Sequence, residues 1–207
     1  MISNSRKGAW VLPFRQGWRK TRQSGFCPVH VSLWGNSRRL GFSARLDDER
    51  PWTRAVHARQ LLCLHGDVLE LFLGWAGCDE YYEFHFAPNG LVMALRWPNR
   101  SSYRGVSKDE DLTPFLALPD FVSAKVFRGP GAWGATGVIH LDSLPSAPSR
   151  RFNCALQIHF ARYDYLADGS KVISSTAPLR RPCFHRRQDW HQILLGKRQG
   201  DSIRGNP

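Results

Sequence analysis

From Val29 to Leu195, apolar and polar positions alternate with a period of two, or β-branched and aromatic residues gather into short runs. The runs fall at 29–34, 40–46, 68–75, 81–87, 91–97, 121–127, 135–141, 154–165, 171–175 and 190–195, each bounded by turn-forming residues. Two junctions carry hairpin chemistry. In Pro88-Asn89-Gly90 the proline presets φ and Asn-Gly accepts positive φ, so 81–87 and 91–97 should pair; Ala167-Asp168-Gly169 plays the same part before 171–175. Helical periodicity is scarce, with 53–62 as the one short candidate and a single turn at 142–144. About ten strands and tight turns predict an all-β fold, an antiparallel β-sandwich with minimal helix.

Alternation also assigns faces, because successive side chains on a strand point to opposite sides. Tyr82, Phe84 and Phe86 share one face and read as core, while Tyr81, Glu83 and His85 share the other. In 68–75, Leu69, Leu71, Leu73 and Trp75 oppose Val68, Glu70, Phe72 and Gly74. The face carrying Glu70 is less committed to aliphatic packing and is the candidate binding surface. His85 and His159 sit mid-strand and are expected to be hydrogen-bonded there, and Trp190 is expected in the core.

Residues 1–27 are basic, rich in Gly and Ser and without sustained period, so they read as a flexible arm before a sandwich domain at 28–195; residues 196–207 read as a disordered basic tail. The 207 residues carry 29 Lys and Arg against 17 Asp and Glu, a net charge of +12, with much of the excess near the two ends. Such a field attracts polyanions without a specific site. No nucleic-acid-binding motif accompanies it, so a scaffold that touches a polyanion through its basic termini stands as the alternative reading. Five cysteines form no CxxC pair, which leaves neither a zinc site nor a complete disulfide framework. The N-terminus lacks the apolar stretch of a secretory signal and no run is long enough to span a membrane, so the chain as given reads as cytoplasmic. There is no HExxH, nucleophile elbow, P-loop or dinucleotide fingerprint. Glu70 and Glu83 lie on strands that could be neighbours, yet nothing marks either as acid or nucleophile, and no enzyme is expected.

Several segments together resemble the carbohydrate-binding family 9-like domains of the DOMON-like superfamily. These are HGDVLELFL from His65, YYEFHFAPNG from Tyr81, AWGATGVIHLDSL from Ala132, RFNCALQ from Arg151 and ISSTAPLRRPCFHRRQDW from Ile173, in family order over about 30–195. The resemblance implies a sandwich that stacks a sugar between two tryptophans and bonds its hydroxyls with polar groups at the edges. Here Leu64 and Phe184 stand at the tryptophan positions, Glu70 keeps the strand carboxylate with Asp67 ahead of it, and His85 falls where an arginine is expected. The segment from Ala132 also departs, with Thr136 for Glu and His140 for Pro. Trp75, Trp97 or Trp190 could stand in as the missing wall.

The resulting expectation is a non-catalytic module that binds a carbohydrate or other small ligand. Its candidate ligand-binding residues are Glu70, His85, Phe184, His185, Arg181, Asp67 and Arg162, with Arg186 and Arg187 facing solvent. The resemblance also implies structural calcium, for which Asp47-Asp48-Glu49 and Asp109-Glu110-Asp111 are the acidic runs, although calcium requires six to eight oxygens in closed geometry. Haem, bound by some DOMON domains through Met and His, would have only Met93 besides the initiator, in a strand that reads as core.

Overall fold

The computed structural model describes residues 9–117, 121–144 and 155–194. The strands are β1 (Ala9–Pro13), β2 (His30–Gly35), β3 (Arg39–Asp47), β4 (Val68–Trp75), β5 (Tyr81–Phe86), β6 (Val92–Trp97), β7 (Val122–Gly129), β8 (Ala132–His140), β9 (Ala155–Tyr165), β10 (Lys171–Ser175) and β11 (His191–Leu194). They form two antiparallel sheets, β1-β2-β3-β8-β7 and β10-β9-β4-β5-β6, with β11 pairing β9 beyond β10. This is the sandwich that the alternation predicts. The hairpin at Pro88-Asn89-Gly90 joins β5 to β6, with Gly90 at φ 93, and the turn at Asp168-Gly169 joins β9 to β10.

The inner core follows the predicted faces. Leu69, Leu71, Leu73, Trp75, Tyr82, Phe84 and Phe86 pack across the sandwich against Leu33, Phe42, Leu46 and Trp133 of the other sheet. Burying a large apolar side chain contributes roughly 1.5–3 kcal/mol, so this layer holds the sheets together.

Two expectations fail. The segment read as a flexible arm contains β1, which pairs with β2 and buries Trp10 and Leu12; Phe14 is buried beyond it. Arg15 then exchanges backbone bonds with Ser175 of β10, so the chain straps one sheet to the other. The signal was the period-two spacing of Trp10, Leu12 and Phe14, with Pro13 tolerated because β1 is an edge strand. The helix at 53–62 is also absent: only Leu62–His65 is helical, as α1. Thr53 instead bridges Gly66, and the Gln60 side chain accepts the Val56 and His57 N–H groups, a local competition that favours loop over helix. The turn near 142–144 is a 3-10 turn at Leu141–Ser143. Residues 1–8, 195–207 and the RFNC stretch at 151–154 lie outside the described residues, and with them the tail expected at 196–207. No helix among the described residues is long and apolar enough to cross a membrane.

Candidate functional site

Antiparallel register places the chemistry on the outer face of the six-stranded sheet. Glu70 of β4 pairs directly with His85 of β5, Phe72 with Glu83, and Tyr81 with Trp97 of β6. All six are buried, because loops cover this face: α1, the 3-10 turns at Ser102–Gly105 and Asp109–Phe115, and the segment from Ala177 to Trp190. The Glu70 side of β4 is thus a roofed layer rather than an open surface.

Arg187 fastens the roof. Its guanidinium donates to the carbonyl oxygens of Trp75 at 2.9 Å and of Cys78, Asp79 and Glu80 at 2.5, 2.9 and 3.2 Å, and to Gln157 Oε1 at 2.7 Å. Gly74 makes room, since a Cβ there would lie 2.7 Å from Arg187 Nη2. The sequence places Arg187 facing solvent; it is buried instead, because its guanidinium finds five oxygen acceptors beneath the roof.

Beneath the roof lies a charged row. His85 Nε2 sits 2.6 Å from Glu83 Oε1 and 3.4 Å from Glu70 Oε1, and Trp97 Nε1 donates to Glu83 Oε2 at 2.6 Å. Burial pushes the Glu70 carboxyl up to about 8, against the pull of His85. Burial acts on Glu83 too, but His185, His85 and the Trp97 N–H together hold it below the usual carboxylate range. Burial works against charging His85, yet Glu70 and Glu83 raise it above its ordinary value. These shifts favour the ionised form of Glu83 over that of Glu70 and set the two carboxyl groups of the row apart.

Above this row a cavity of about 230 Å³ is lined by Leu61, Cys63, Glu70, Glu83, Trp97, Tyr103, Val106, Tyr163, Pro182, Cys183, Phe184 and His185. The His185 ring stacks on Tyr103 with centroids 3.8 Å apart, and its Nδ1 lies 2.8 Å from the Tyr81 hydroxyl. Phe184 meets Tyr163 edge-on at 5.5 Å and is 5% exposed, so it is a packed wall and no open platform. His159, also on this face, stacks on Phe72 with its Nδ1 3.4 Å from Ser175 Oγ, and burial lowers its pKa well below the ordinary value. Trp190 is buried here, its Nε1 donating to Phe184 O, whereas Trp75 belongs to the inner core.

Three of the sequence candidates, Glu70, Phe184 and His185, line this cavity, and a fourth, His85, lies outside the lining against Glu70 and Glu83. The other three lie elsewhere. Arg181 is exposed and outside the lining. Arg162 projects to the inner side of β9, where it donates to Asp47 O at 2.9 Å and pairs with Asp164 Oδ2 at 2.8 Å. Asp67 is buried at the start of β4, where its carboxylate accepts the backbone N–H groups of Trp52 and Tyr165 at 2.5 and 2.6 Å. Tyr103, Tyr163 and Cys63 escaped sequence reasoning, because only tertiary packing brings their loops and strand to the cavity; Trp97, named as a stand-in wall, and Glu83, on the face of His85, both line it.

Two groups of described side chains have metal-ligand atoms within 4.8 Å of one another, Cys63 with Glu70 and His85, and Asp48 with Asp67 and Asp164. In the first, His85 is already engaged by two carboxylates. In the second, the Arg162 guanidinium on Asp164 supplies positive charge where a hard cation would, and three carboxylates fall short of the six to eight oxygens of calcium. Of the acidic runs singled out in the sequence, Asp47 pairs with Arg45, Asp109 accepts from Leu61 N and faces His65 Nε2 at 2.9 Å, and Asp111 bonds Ser107 and Lys108.

No family model and no curated protein matches the chain. Among solved structures, a family 9 carbohydrate-binding module from Caldicellulosiruptor kristjanssonii in complex with cellotriose matches with a TM-score of 0.60 at 11% identity, covering 100% of this chain and 95% of that one. A family 9 module from the same organism in complex with glucose matches with a TM-score of 0.57 at 12% identity, covering 88% and 84%. The chain has the β-sandwich fold of the family 9 carbohydrate-binding modules.

Proposed function

We propose that the protein is a non-catalytic carbohydrate-binding module whose sugar occupies the cavity on the outer face of β4, β5 and β9. The observation that carries this reading is the pairing of aromatic walls, Trp97, Tyr103, Tyr163 and Phe184, with two buried carboxyl groups, Glu70 and Glu83, on one cavity. Aromatic faces pack on the C–H groups of a sugar ring, and carboxyl oxygens bond its hydroxyls. Glu70 is the better partner, because Glu83 is already engaged by His85 and Trp97. The volume lies below the roughly 300–1,000 Å³ typical of ligand pockets, which limits the cavity to one small ring, with Leu61, Tyr103 and His185 as the side chains that would shift to admit it. The family 9 fold, whose relatives above were solved with glucose and cellotriose, supports the same reading.

The test is calorimetry against mono- and disaccharides together with the Glu70→Gln variant. Binding in the millimolar range or tighter, weakened about tenfold or more by Glu70→Gln, is expected; absence of heat for every neutral sugar at tens of millimolar would overturn the proposal.

A further inference from the structure

Beside the inner cavity runs a larger groove of about 500 Å³, lined by Arg50, Trp52, Arg54, Leu64, Tyr165, Leu166, Ala167 and Gly169. The two are neighbours on one strand face: Tyr163 lines the cavity and Tyr165, two residues on, lines the groove. The Cys63-Leu64 turn of α1 divides them, with Cys63 on the cavity and Leu64 on the groove.

The aromatic part of the groove is built, not incidental. Trp52 is 48% exposed, yet its backbone is locked: its N–H donates to Asp67 Oδ2 and its carbonyl accepts the Asp67 N–H at 2.7 Å. The same carboxylate takes the Tyr165 N–H through its other oxygen, so one buried residue sets the spacing of two rings, whose centroids are 5.9 Å apart. The Tyr165 hydroxyl donates to Cys63 O at 2.8 Å, which ties the dividing turn to the groove wall.

The charged part is one-signed. Neither Arg50 nor Arg54 forms an ion pair with a described residue, and among the described residues no carboxylate lines the groove. Their backbones are pinned, Arg50 N to Asp48 Oδ1 at 2.8 Å and Arg54 N to His65 O at 2.8 Å, so both guanidinium groups spring from fixed points. Lys171, outside the lining, places its Nζ 5.4 Å from the Tyr163 ring and 5.9 Å from the Tyr165 ring. The nearby acids are occupied or set apart: Asp48 bonds Arg50 N, Asp168 bonds Ser170 within its own turn, Asp67 is buried beneath the rings, and Glu49 is exposed outside the lining.

An exposed indole, a tyrosine and unpaired guanidinium groups around one groove fit a ring with an apolar face and an anionic substituent. We infer that this groove is a second binding site, for a pyranose bearing a carboxylate or sulfate, with Trp52 as the stacking face and Arg50 and Arg54 as the anion clamp. Guanidinium forks match such oxyanions in bidentate geometry. Asp67 is a positioning residue that holds Trp52 and Tyr165 through their backbones. The ligand class rests on the carbohydrate-binding reading, while the site and its charge preference do not involve the inner cavity.

The experiment measures affinity by calorimetry for glucuronate, glucose 6-sulfate and glucose, with wild type, Trp52→Ala, the Arg50→Ala/Arg54→Ala double variant and Glu70→Gln. The two anionic probes separate carboxylate from sulfate as the favoured group. At least one should bind about tenfold or more tightly than its neutral counterpart, and lose that margin in the double variant and in 0.5 M salt, on the order of the loss of one or two charge-assisted bonds. Trp52→Ala should lower anionic binding while leaving glucose unchanged; Glu70→Gln should do the reverse. Equal affinity for charged and neutral sugars, or an anionic preference untouched by the Arg50→Ala/Arg54→Ala change, would overturn the groove assignment and leave the cavity reading standing. Anionic binding through Trp52 and the arginines with no neutral binding sensitive to Glu70 would do the opposite.

Discussion

The two faces of the six-stranded sheet are both buried, but by different means. The inner face presents Leu69, Leu71, Leu73, Tyr82, Phe84 and Phe86 to the opposing sheet, and its burial follows from the hydrophobic effect alone. The outer face buries Glu70, Glu83, His85 and His159 among Phe72, Tyr81, Trp97 and Trp190. Burying ionisable groups costs free energy unless each finds partners. Here Glu70 and Glu83 meet His85, Glu83 also takes the Trp97 N–H, and Ser175 Oγ lies 3.4 Å from His159 Nδ1, while His85 Nδ1 and His159 Nε2 have no hydrogen-bond partner among the described residues. Apolar burial on one side fixes the fold, and polar burial on the other fixes the positions of groups able to meet a ligand.

Substitutions on the outer face should sharpen this contrast, and the largest effect is expected at the roof. Arg187→Met takes the guanidinium donor from the Cys78 and Asp79 carbonyls and should cost about 2–5 kcal/mol in chemical denaturation, comparable with the roughly 2–5 kcal/mol of an inner-face deletion such as Leu71→Ala. A cost below about 1 kcal/mol would mean that packing alone holds the roof. Glu83→Gln should cost less, about 1.5–3 kcal/mol at neutral pH, by weakening the bonds to His85 and Trp97. Because Glu83 is held below the usual carboxylate range, its stabilisation is present above pH 4.5 and lost as pH falls through the lowered folded value, so the gap between wild type and variant should close in acid.

The opposite slope with pH is expected at Asp67. Burial raises its carboxyl from 3.8 to about 7 despite the two N–H donors. The folded chain therefore keeps a proton that the unfolded chain gives up, and this contribution is complete below about pH 4 and lost as pH rises to about 7. Asn carries no such titration. The melting temperature of wild type relative to Asp67→Asn should fall between pH 4 and pH 7; a flat or rising difference would show that the two backbone N–H groups outweigh burial there.

Much of this molecule was legible in its alternation. Tyr82, Phe84 and Phe86 could be assigned to the core, and Glu70 and His85 to the opposite face, because a period of two admits one arrangement once a strand exists. The hairpin at Asn89-Gly90 followed from backbone sterics in the same way. The arm was misread because β1 is short and its Trp10, Leu12 and Phe14 alternate inside a basic, Gly-rich context. The helix at 53–62 was misread because Gln60 and Thr53 satisfy the backbone locally, a competition that periodicity does not register.

What the sequence determined by itself was the strands from β2 to β11 and the side their residues take, since both depend on neighbours one or two positions away. Tertiary structure decided everything that joins distant segments: that Arg187 reaches back to Trp75, that Arg162 points inward to Asp47 and away from the cavity, and that Asp67 spaces Trp52 and Tyr165. Those contacts span from 15 to 115 positions. Local preference has no reach over such separations, and only the closed sandwich with its loops packed down brings the partners together.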